Sequence, residues 1–286
     1  MNGLALCAGF GGIEQGLESI LPDYSTVCYV EGEAYPVAVL IEKMEKGRIH
    51  PAPIWSDLRT FEGTRWRGTV DIISGGFPCQ PYSQAGKLRG KDDARNLWPD
   101  VVRIISEVRP KIIFMENVPN INNKYGSQII GDLAKMGFDA AWCIVRASDV
   151  GAPHKRSRWF LLAYAHLPDS QCDGCAKNGQ RDRSCLLARK CQKMEKERHK
   201  QAFSFANGGS NKRDKPNKRP VYNQFDKGWW EIEPPVGRMV DGVANWSYRI
   251  RGCGNGVVPR QAAYAFQILA ERLACGIDAN LDPKGC

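Results

Sequence analysis

The stretch that most constrains the fold is residues 71–83, which read DIISGGFPCQPYS. Its two isoleucines precede two glycines, a pattern that predicts a buried strand ending in a tight turn. Pro78 and Pro81 flank Cys79 and restrict the residues before them to extended backbone. The glycines allow another molecule to approach the main chain closely. A lone cysteine is most often a small buried hydrophobe, so its neighbours decide whether this thiol is a nucleophile.

The N-terminal residues have the pattern of a nucleotide-binding unit. Residues 4–12 form a short apolar strand that runs into a glycine turn, and Ile13, Leu17 and Ile20 then have helical spacing. A strand, a glycine turn and a helix begin the βαβ unit in which a ligand contacts the backbone of the turn. Many α/β proteins contain such a unit without binding a nucleotide, so this pattern alone leaves both interpretations open.

Two acidic residues follow the next predicted strands. Glu31 ends the strand at 27–31 and precedes a predicted helix at 35–46, whereas Asp57 follows the strand candidate at 54–58. Glu31 is placed to accept hydrogen bonds from ribose hydroxyls, or to cap that helix. Asp57 is placed to accept from an adenine amino group, or is an ordinary turn aspartate.

A third acid, Glu116, lies at the exit of a predicted buried strand at 111–115. A charged carboxylate is costly there unless it is partnered, so we expect its pKa to be raised. A satisfied structural carboxylate is the alternative. Arg156 and Arg158 leave an extended segment on one face and either bind phosphate and base or form a basic surface edge. The predicted elements are completed by strands at 141–145 and 159–163 and by helices at 98–108 and 261–274.

The positive charge is concentrated in one region. The chain has a net charge of +9, and residues 176–220 contain 14 Lys or Arg and 4 Asp or Glu, a net of +10. This concentration predicts a surface for phosphate backbones, although a solvated insertion would have the same composition. Residues 166–235 contain four cysteines whose spacing could hold zinc, but their second pair is too widely spaced for a common zinc knuckle, so no metal site is predicted. They are Cys172, Cys175, Cys185 and Cys191.

The remaining composition indicates a soluble protein of the cytoplasm. The number of cysteines is odd, at eleven, and most are scattered through apolar segments, which suits a reducing compartment. No apolar run approaches the roughly 18 residues that a membrane span requires, and the N-terminus lacks a charged and apolar leader.

Four motifs in this order resemble those of the cytosine-C5 DNA methyltransferase family. They are GGFPCQPYS at 75–83, ENV at 116–118, an Arg-x-Arg pair at 156–158 and GNGVVP at 254–259. The resemblance covers about residues 4–163 and 252–274. It implies an α/β fold with a doubly wound, Rossmann-like methyltransferase sheet. It also implies three regions: a catalytic domain at 1–165, a small basic target-recognition insertion at 166–235, and a C-terminal segment at 236–286 that completes the catalytic domain.

The resemblance implies a role for each matching residue. Cys79 would add to C6 of a flipped cytosine, Glu116 would act at N3, Arg158 would bind the base O2 and Arg156 would support the catalytic loop. S-adenosylmethionine is the implied cofactor. Its implied contacts are Gly9, Phe10, Gly11, Gly12, Glu31, Asp57, Leu58, Pro78, Asn255 and Val257. The implied DNA contacts are Gln80, Ser83, Lys87 and Arg89.

Three departures from the family pattern concern the cofactor side and the arginine motif. The family usually has Phe where Cys7 stands, a bulky residue where Gly32 stands and Gln where His154 stands. The implied partner is duplex DNA, bound by a monomer, with a restriction endonuclease of the same site as a further candidate. A same-family enzyme acting on transfer RNA and a catalytically silent DNA-binding module are the alternatives. The recognition sequence is not readable from the insertion.

Overall fold

A computed structural model describes residues 1–78, 96–121, 125–165, 252 and 254–275. These residues form one sheet with helices on both faces. The strands are β1 Asn2–Leu6, β2 Ser25–Val30, β3 Ile54–Trp55, β4 Ile72–Gly75, β5 Ile112–Asn117, β6 Phe138–Arg146 and β7 Ser157–Ala165. The α-helices are α1 Gly12–Ile20, α2 Ala34–Glu45, α3 Trp98–Val108, α4 Ser127–Lys135 and α5 Pro259–Cys275.

The seven strands lie in the order β3-β2-β1-β4-β5-β7-β6. The pairs from β3 to β5 are parallel, whereas β7 is antiparallel to both β5 and β6. The strand order reverses between β1 and β4, which is the point where doubly wound sheets bind ligands at the carboxyl ends of their strands. The fold predicted above is therefore confirmed.

Alternation along the central strands divides the core between the two faces of the sheet. On β4, Ile73 packs with α3 and α4 on one face, whereas its neighbour Ile72 packs with α1 and α5 on the other. A strand that is buried on both faces reads as a continuous apolar run. That is why β4 and β5, which are buried at every position, were recognisable in the sequence.

Helix α5 returns to the sheet from the far end of the chain and packs on α1, β6 and β7. Two glycines of α1 permit this contact. A Cβ at Gly12 would lie 2.3 Å from the carbonyl oxygen of Val257, and one at Gly16 would lie 2.5 Å from that of Pro259. Because both clashes are with main chain, a side chain at either position would push the C-terminal segment away.

The predicted elements agree with the structure to within a few residues, with one omission. Helix α4 was missed, because Gly131 interrupts it, although Ile129 and Leu133 are spaced four apart and are fully buried. The insertion at 166–235 and its four cysteines lie outside the described residues.

Candidate active site and cofactor pocket

The carboxyl ends of the parallel strands bring the predicted site residues to one edge of the sheet. The glycine turn follows β1, Glu31 follows β2, Gly76 follows β4 and Glu116 is near the end of β5. Strand β7 runs the opposite way, so its first residues reach this same edge, and in its register with β5 Glu116 lies opposite Phe160. The arginine pair, Arg156 and Arg158, therefore lies at the same edge of the sheet as Glu116.

A pocket lies between the glycine turn, the end of β5 and the segment that leads into α5. We call it the glycine-turn pocket. Its lining consists of Cys7, Ala8, Gly9, Phe10, Gly12, Ile13, Gly76, Glu116, Asn255, Gly256 and Val257. Six predicted residues therefore meet in one place, five of them predicted for the cofactor and one, Glu116, for the base.

Glu31 holds the glycine turn in place. Its Oε2 accepts a hydrogen bond from the backbone N–H of Gly9 at 2.7 Å, and its Oε1 accepts from that of Glu33 at 2.8 Å. A carboxylate has about four acceptor positions, so each oxygen retains capacity for another donor. The carboxylate does not cap α2 by its side chain, because the N-cap of that helix is Glu33.

Gly11 and Glu31 are not among the residues that line this pocket, although Gly11 belongs to the glycine turn. Neither are three further predicted cofactor contacts, Asp57, Leu58 and Pro78. The Oδ1 of Asp57 accepts from the backbone N–H of Arg59 at 2.9 Å and so caps a short 3-10 helix, Leu58–Thr60. The side chain of Leu58 is buried in the core on the α3 face. Pro78 is exposed. These three positions remain predictions as cofactor contacts.

Glu116 is buried beside a charged partner. The Nε of Arg158 lies 2.8 Å from its Oε1. Burial raises the pKa of Glu116 to about 7, and the positive charges of Arg158 and Arg156 oppose that rise. A Cβ at Gly76 would lie 2.9 Å from its Oε2, so the glycine makes room for the carboxyl. The expected raised pKa is thus present and has desolvation as its main cause.

The arginine pair also binds the loop that precedes α5. Arg156 and Arg158 each donate from Nη2 to the carbonyl oxygen of Gly254, at 2.8 and 2.9 Å, and Arg156 donates to that of Gly256 as well. The Nη1 of Arg158 donates to the carbonyl of Ser157 at 2.9 Å. The loop that contributes Asn255 to the pocket is therefore fixed by Arg158, which contacts Glu116, and by Arg156, whose charge also acts on that carboxyl.

The nucleophile predicted from the sequence, Cys79, lies outside the described residues. So do the four predicted DNA contacts, Gln80, Ser83, Lys87 and Arg89. The described chain continues from β4 to Pro78, the residue before Cys79. Asn117 fixes this approach, since its Nδ2 donates to the carbonyl of Phe77 at 3.0 Å within the core. No role was predicted for Asn117, although its place in the ENV motif is a signal.

Two further residues of the site region were missed in the sequence. Gln261 of α5 is fully buried and donates two hydrogen bonds to backbone carbonyls. Glu14 lies in the first turn of α1 and is 1% exposed. A signal for Glu14 existed, because it lies between Ile13 and Leu17 on the apolar side of its helix.

Several features of the described residues bear on other predictions. Cys7 has a positive φ of 49°, and burial raises the pKa of its thiol to about 12, so it is a neutral wall of the pocket. A Cβ at Gly32 would lie 3.0 Å from the carbonyl oxygen of Ser56, so a side chain at this position would require that carbonyl to move slightly. Within the described part of the chain, no group of three or more acids, cysteines and histidines is arranged to hold a metal ion. None of the helices described has the length and apolarity that crossing a bilayer requires.

The family described as C-5 cytosine-specific DNA methylase matches residues 1–225. The chain belongs to this family. Among curated relatives, the type II methyltransferase M.NgoMIV of Neisseria gonorrhoeae is 36% identical over 56% of this chain and 50% of its own length. The type II methyltransferase M.CviJI of Paramecium bursaria Chlorella virus IL3A is 34% identical over 56% of this chain and 42% of its own length. The chain thus spans about half the length of the relatives it matches.

Solved structures with a similar arrangement of strands and helices have lower sequence identity to this C-5 methylase. A DNMT2 mutant of Spodoptera frugiperda has a TM-score of 0.48 and 22% identity over 63% of this chain and 53% of its own. A putative DNA modification methyltransferase encoded within an Escherichia coli prophage has a TM-score of 0.47 and 24% identity over 59% of this chain and 49% of its own.

Proposed function

We propose that this C-5 methylase transfers a methyl group from S-adenosylmethionine to C5 of a flipped cytosine in a specific duplex DNA sequence. The observation that supports the proposal most is Glu116: a buried carboxyl with a pKa of about 7, paired with Arg158 and lining the same pocket as the glycine turn. Such a group can hold a proton at neutral pH and give it to a base.

The residues of the pocket fit the proposed cofactor. The glycine turn offers backbone without side chains, and Glu31 is held in place by Gly9 and Glu33 with acceptor capacity left for hydroxyl donors. Gly9, Phe10, Gly12, Asn255 and Val257 would enclose the cofactor there. S-adenosylmethionine would supply an electrophilic methyl group on a sulfonium.

The covalent step is assigned to Cys79. Its thiolate would form a bond to C6 of the cytosine, which moves an electron pair towards C5 and makes that carbon nucleophilic. Glu116 would hold or donate a proton at N3, where negative charge develops. Arg158 would bind O2 of the base, and Arg156 would support the loop that contains Cys79. The methyl group would pass from the sulfonium to C5, and the donor would leave as a neutral thioether. Loss of the C5 proton to a base would then return the electron pair and expel the thiolate.

The target would be rotated out of the helix, because C5 and C6 are unreachable within stacked DNA. We assign the basic insertion at 166–235 to recognition of the sequence from the major groove, where base edges can be distinguished. Gln80, Ser83, Lys87 and Arg89 would contact the DNA around the extruded base. We further propose a monomer acting in the cytoplasm. Both relatives are type II methyltransferases by name, so a restriction endonuclease of the same site is a candidate partner.

Mechanism-based trapping tests the chemistry directly. Purified protein, S-adenosylmethionine and duplex DNA containing 5-fluorocytosine should give a covalent complex that resists denaturation, since fluorine at C5 blocks the elimination. The variant Cys79→Ser should give none, whereas Cys28→Ser, which changes a buried core cysteine of β2, should trap like the wild type. Absence of the complex with wild-type protein would contradict the proposal and favour a silent DNA-binding module.

The substrate is tested separately with a tritium-labelled methyl donor. Label should enter duplex DNA and not transfer RNA, and sequencing of the methylated cytosines should give one short recognition sequence. Label in transfer RNA alone would overturn the choice of DNA while leaving the chemistry intact.

A further inference from the structure

Gln261 connects the C-terminal helix to the segment that contains the arginine pair. Its Nε2 donates to the carbonyl oxygen of Val145, at the end of β6, and to that of Arg156, both at 2.8 Å. The side chain is fully buried, in the first turn of α5. The side-chain amide therefore donates its two hydrogens to two main-chain acceptors from different parts of the chain.

These bonds complete a reciprocal clamp between two segments. The arginine pair donates to the carbonyls of Gly254 and Gly256, and Gln261, five residues further along, donates back to the carbonyl of Arg156. The arginine pair thus holds the loop at two carbonyls, and Gln261 holds the arginine segment at one and the end of β6 at another. Without Gln261 the arginine side chains would still attract the loop, but the main chain that bears them would lose its anchor to α5.

The clamp bears on Glu116 through the arginine pair. Arg158 contacts the carboxyl directly, and the charges of Arg158 and Arg156 are the ones that act on it among the described residues. Arg156 and Arg158 lie two apart at the entrance of β7, so a displacement of one changes the position of both.

We propose that Gln261 is a positioning residue for methyl transfer: it fixes the arginine pair against Glu116 and the base. The inference rests on the proposed function, because Glu116 and Arg158 are assigned their roles there. Gln261 touches neither base nor cofactor in this assignment and acts only through the backbone of Arg156.

A volume-matched variant, Gln261→Met, tests the inference. It keeps the helix packed and removes both donors. We expect kcat to fall on the order of 10-fold or more, because small misplacements of groups that contact the reacting base are costly. We also expect the alkaline limb of the kcat profile to move to higher pH, since weaker positive charge at Glu116 raises the pKa of the acid.

The matched control is Leu269→Ala, which removes a fully buried side chain of the same helix away from the arginine pair. It should lower the melting temperature at least as much as Gln261→Met does and leave the pH profile where it is in the wild type. If Gln261→Met also keeps the wild-type profile, and loses activity only in proportion to its unfolded fraction, Gln261 is structural and the inference is wrong.

A second readout does not depend on turnover. Titration of the Glu116 carboxyl by 13C NMR should give a higher midpoint in Gln261→Met than in the wild type. If wild-type protein forms no 5-fluorocytosine complex, the proposed function fails, yet this titration still decides whether Gln261 holds the arginine pair. An unchanged midpoint would overturn the inference even in an active enzyme.

Discussion

Two buried glutamates in this molecule have the same raised pKa and different surroundings. Burial raises the pKa of both Glu14 and Glu116 to about 7. Glu116 lines the glycine-turn pocket and is paired with Arg158. Glu14 lies between α1 and the sheet, where its Oε1 accepts from the Ser74 hydroxyl at 2.8 Å. Among the described residues, its Oε2 has no hydrogen-bond partner.

The comparison shows that a raised pKa alone does not identify a catalytic acid. Desolvation gives both carboxyls a proton near neutral pH, but only Glu116 faces a space that a base could enter. Glu14 is also desolvated, but it is not among the residues that line the pocket. Access to a ligand separates the two, and each prediction below tests one part of that difference.

The largest effect is expected for Glu116→Gln, which keeps the shape of the side chain and removes its transferable proton. Methyl transfer should fall by roughly 10²- to 10⁴-fold, the usual contribution of a general acid. The same change at the other glutamate, Glu14→Gln, should leave the rate close to that of the wild type. Initial rates on duplex DNA measure both. Equal losses in the two variants would show that the pocket does not distinguish them.

Removal of the cation beside Glu116 should affect one glutamate only. In Arg158→Met we expect the pKa of Glu116 to rise, because the charge that opposes its desolvation is gone. The change in its proton-binding constant should be on the order of 10-fold or more. Titration by 13C NMR follows both carboxyls in one sample, and the midpoint of Glu14 serves as an internal reference. A shift of Glu14 together with Glu116 would indicate a general change of the fold.

The two glutamates should also make stability depend on pH. Each carboxyl has a folded pKa of about 7, above the ordinary value of 4.5, so the folded state binds more protons than the unfolded state between these limits. The free energy of unfolding should therefore fall as pH rises from about 4.5 to about 7. Glu14→Gln, whose amide resembles the protonated carboxyl, should flatten this slope and stabilise the protein at pH 8 by roughly 1–3 kcal/mol. Urea unfolding at pH 5 and pH 8 measures the difference. Only the part of the slope due to Glu116 should remain in this variant, and an undiminished slope would contradict the assignment to Glu14.

The smallest effect is expected for Ser74→Ala, which removes the donor to Glu14. A buried carboxyl that loses a hydrogen bond costs about 1–2 kcal/mol of stability. The pKa of Glu14 should rise further, because the Ser74 hydroxyl lowers it. Thermal unfolding should reveal the loss, while the pH profile of methyl transfer, which follows Glu116, stays unchanged. A displaced profile would show that the two glutamates communicate through β4.

The sequence predicted those parts of the site that depend on local order along the chain. Strands that end in glycines or acids predict which edge of the sheet contains the site. The apolar run before Glu116 predicts that this carboxyl is buried and that its pKa is raised. The arginine pair was found through its motif. Its contact with Glu116 depends on the reversal of β7, which no local pattern of the chain encodes.

The residues that were missed depend on partners distant in sequence. Gln261 binds the carbonyl of Arg156, 105 residues earlier, and Glu14 accepts from Ser74, 60 residues later. A glutamine in an amphipathic helix and a glutamate in a first helical turn are both ordinary in solvent. Only the packing of α5 on α1 and of α1 on the sheet shows that they are enclosed.

The packing of α5 against α1 has a consequence for the proposed recognition of DNA. Strand β7 ends at Ala165 and α5 begins at Pro259, and both elements pack on the same sheet and its helices. Doubling the length of a connecting segment costs only about 0.6 kcal/mol of closure entropy. If the residues between these two elements recognise DNA as proposed, we expect their sequence and length to vary while the core around Glu116 keeps its geometry.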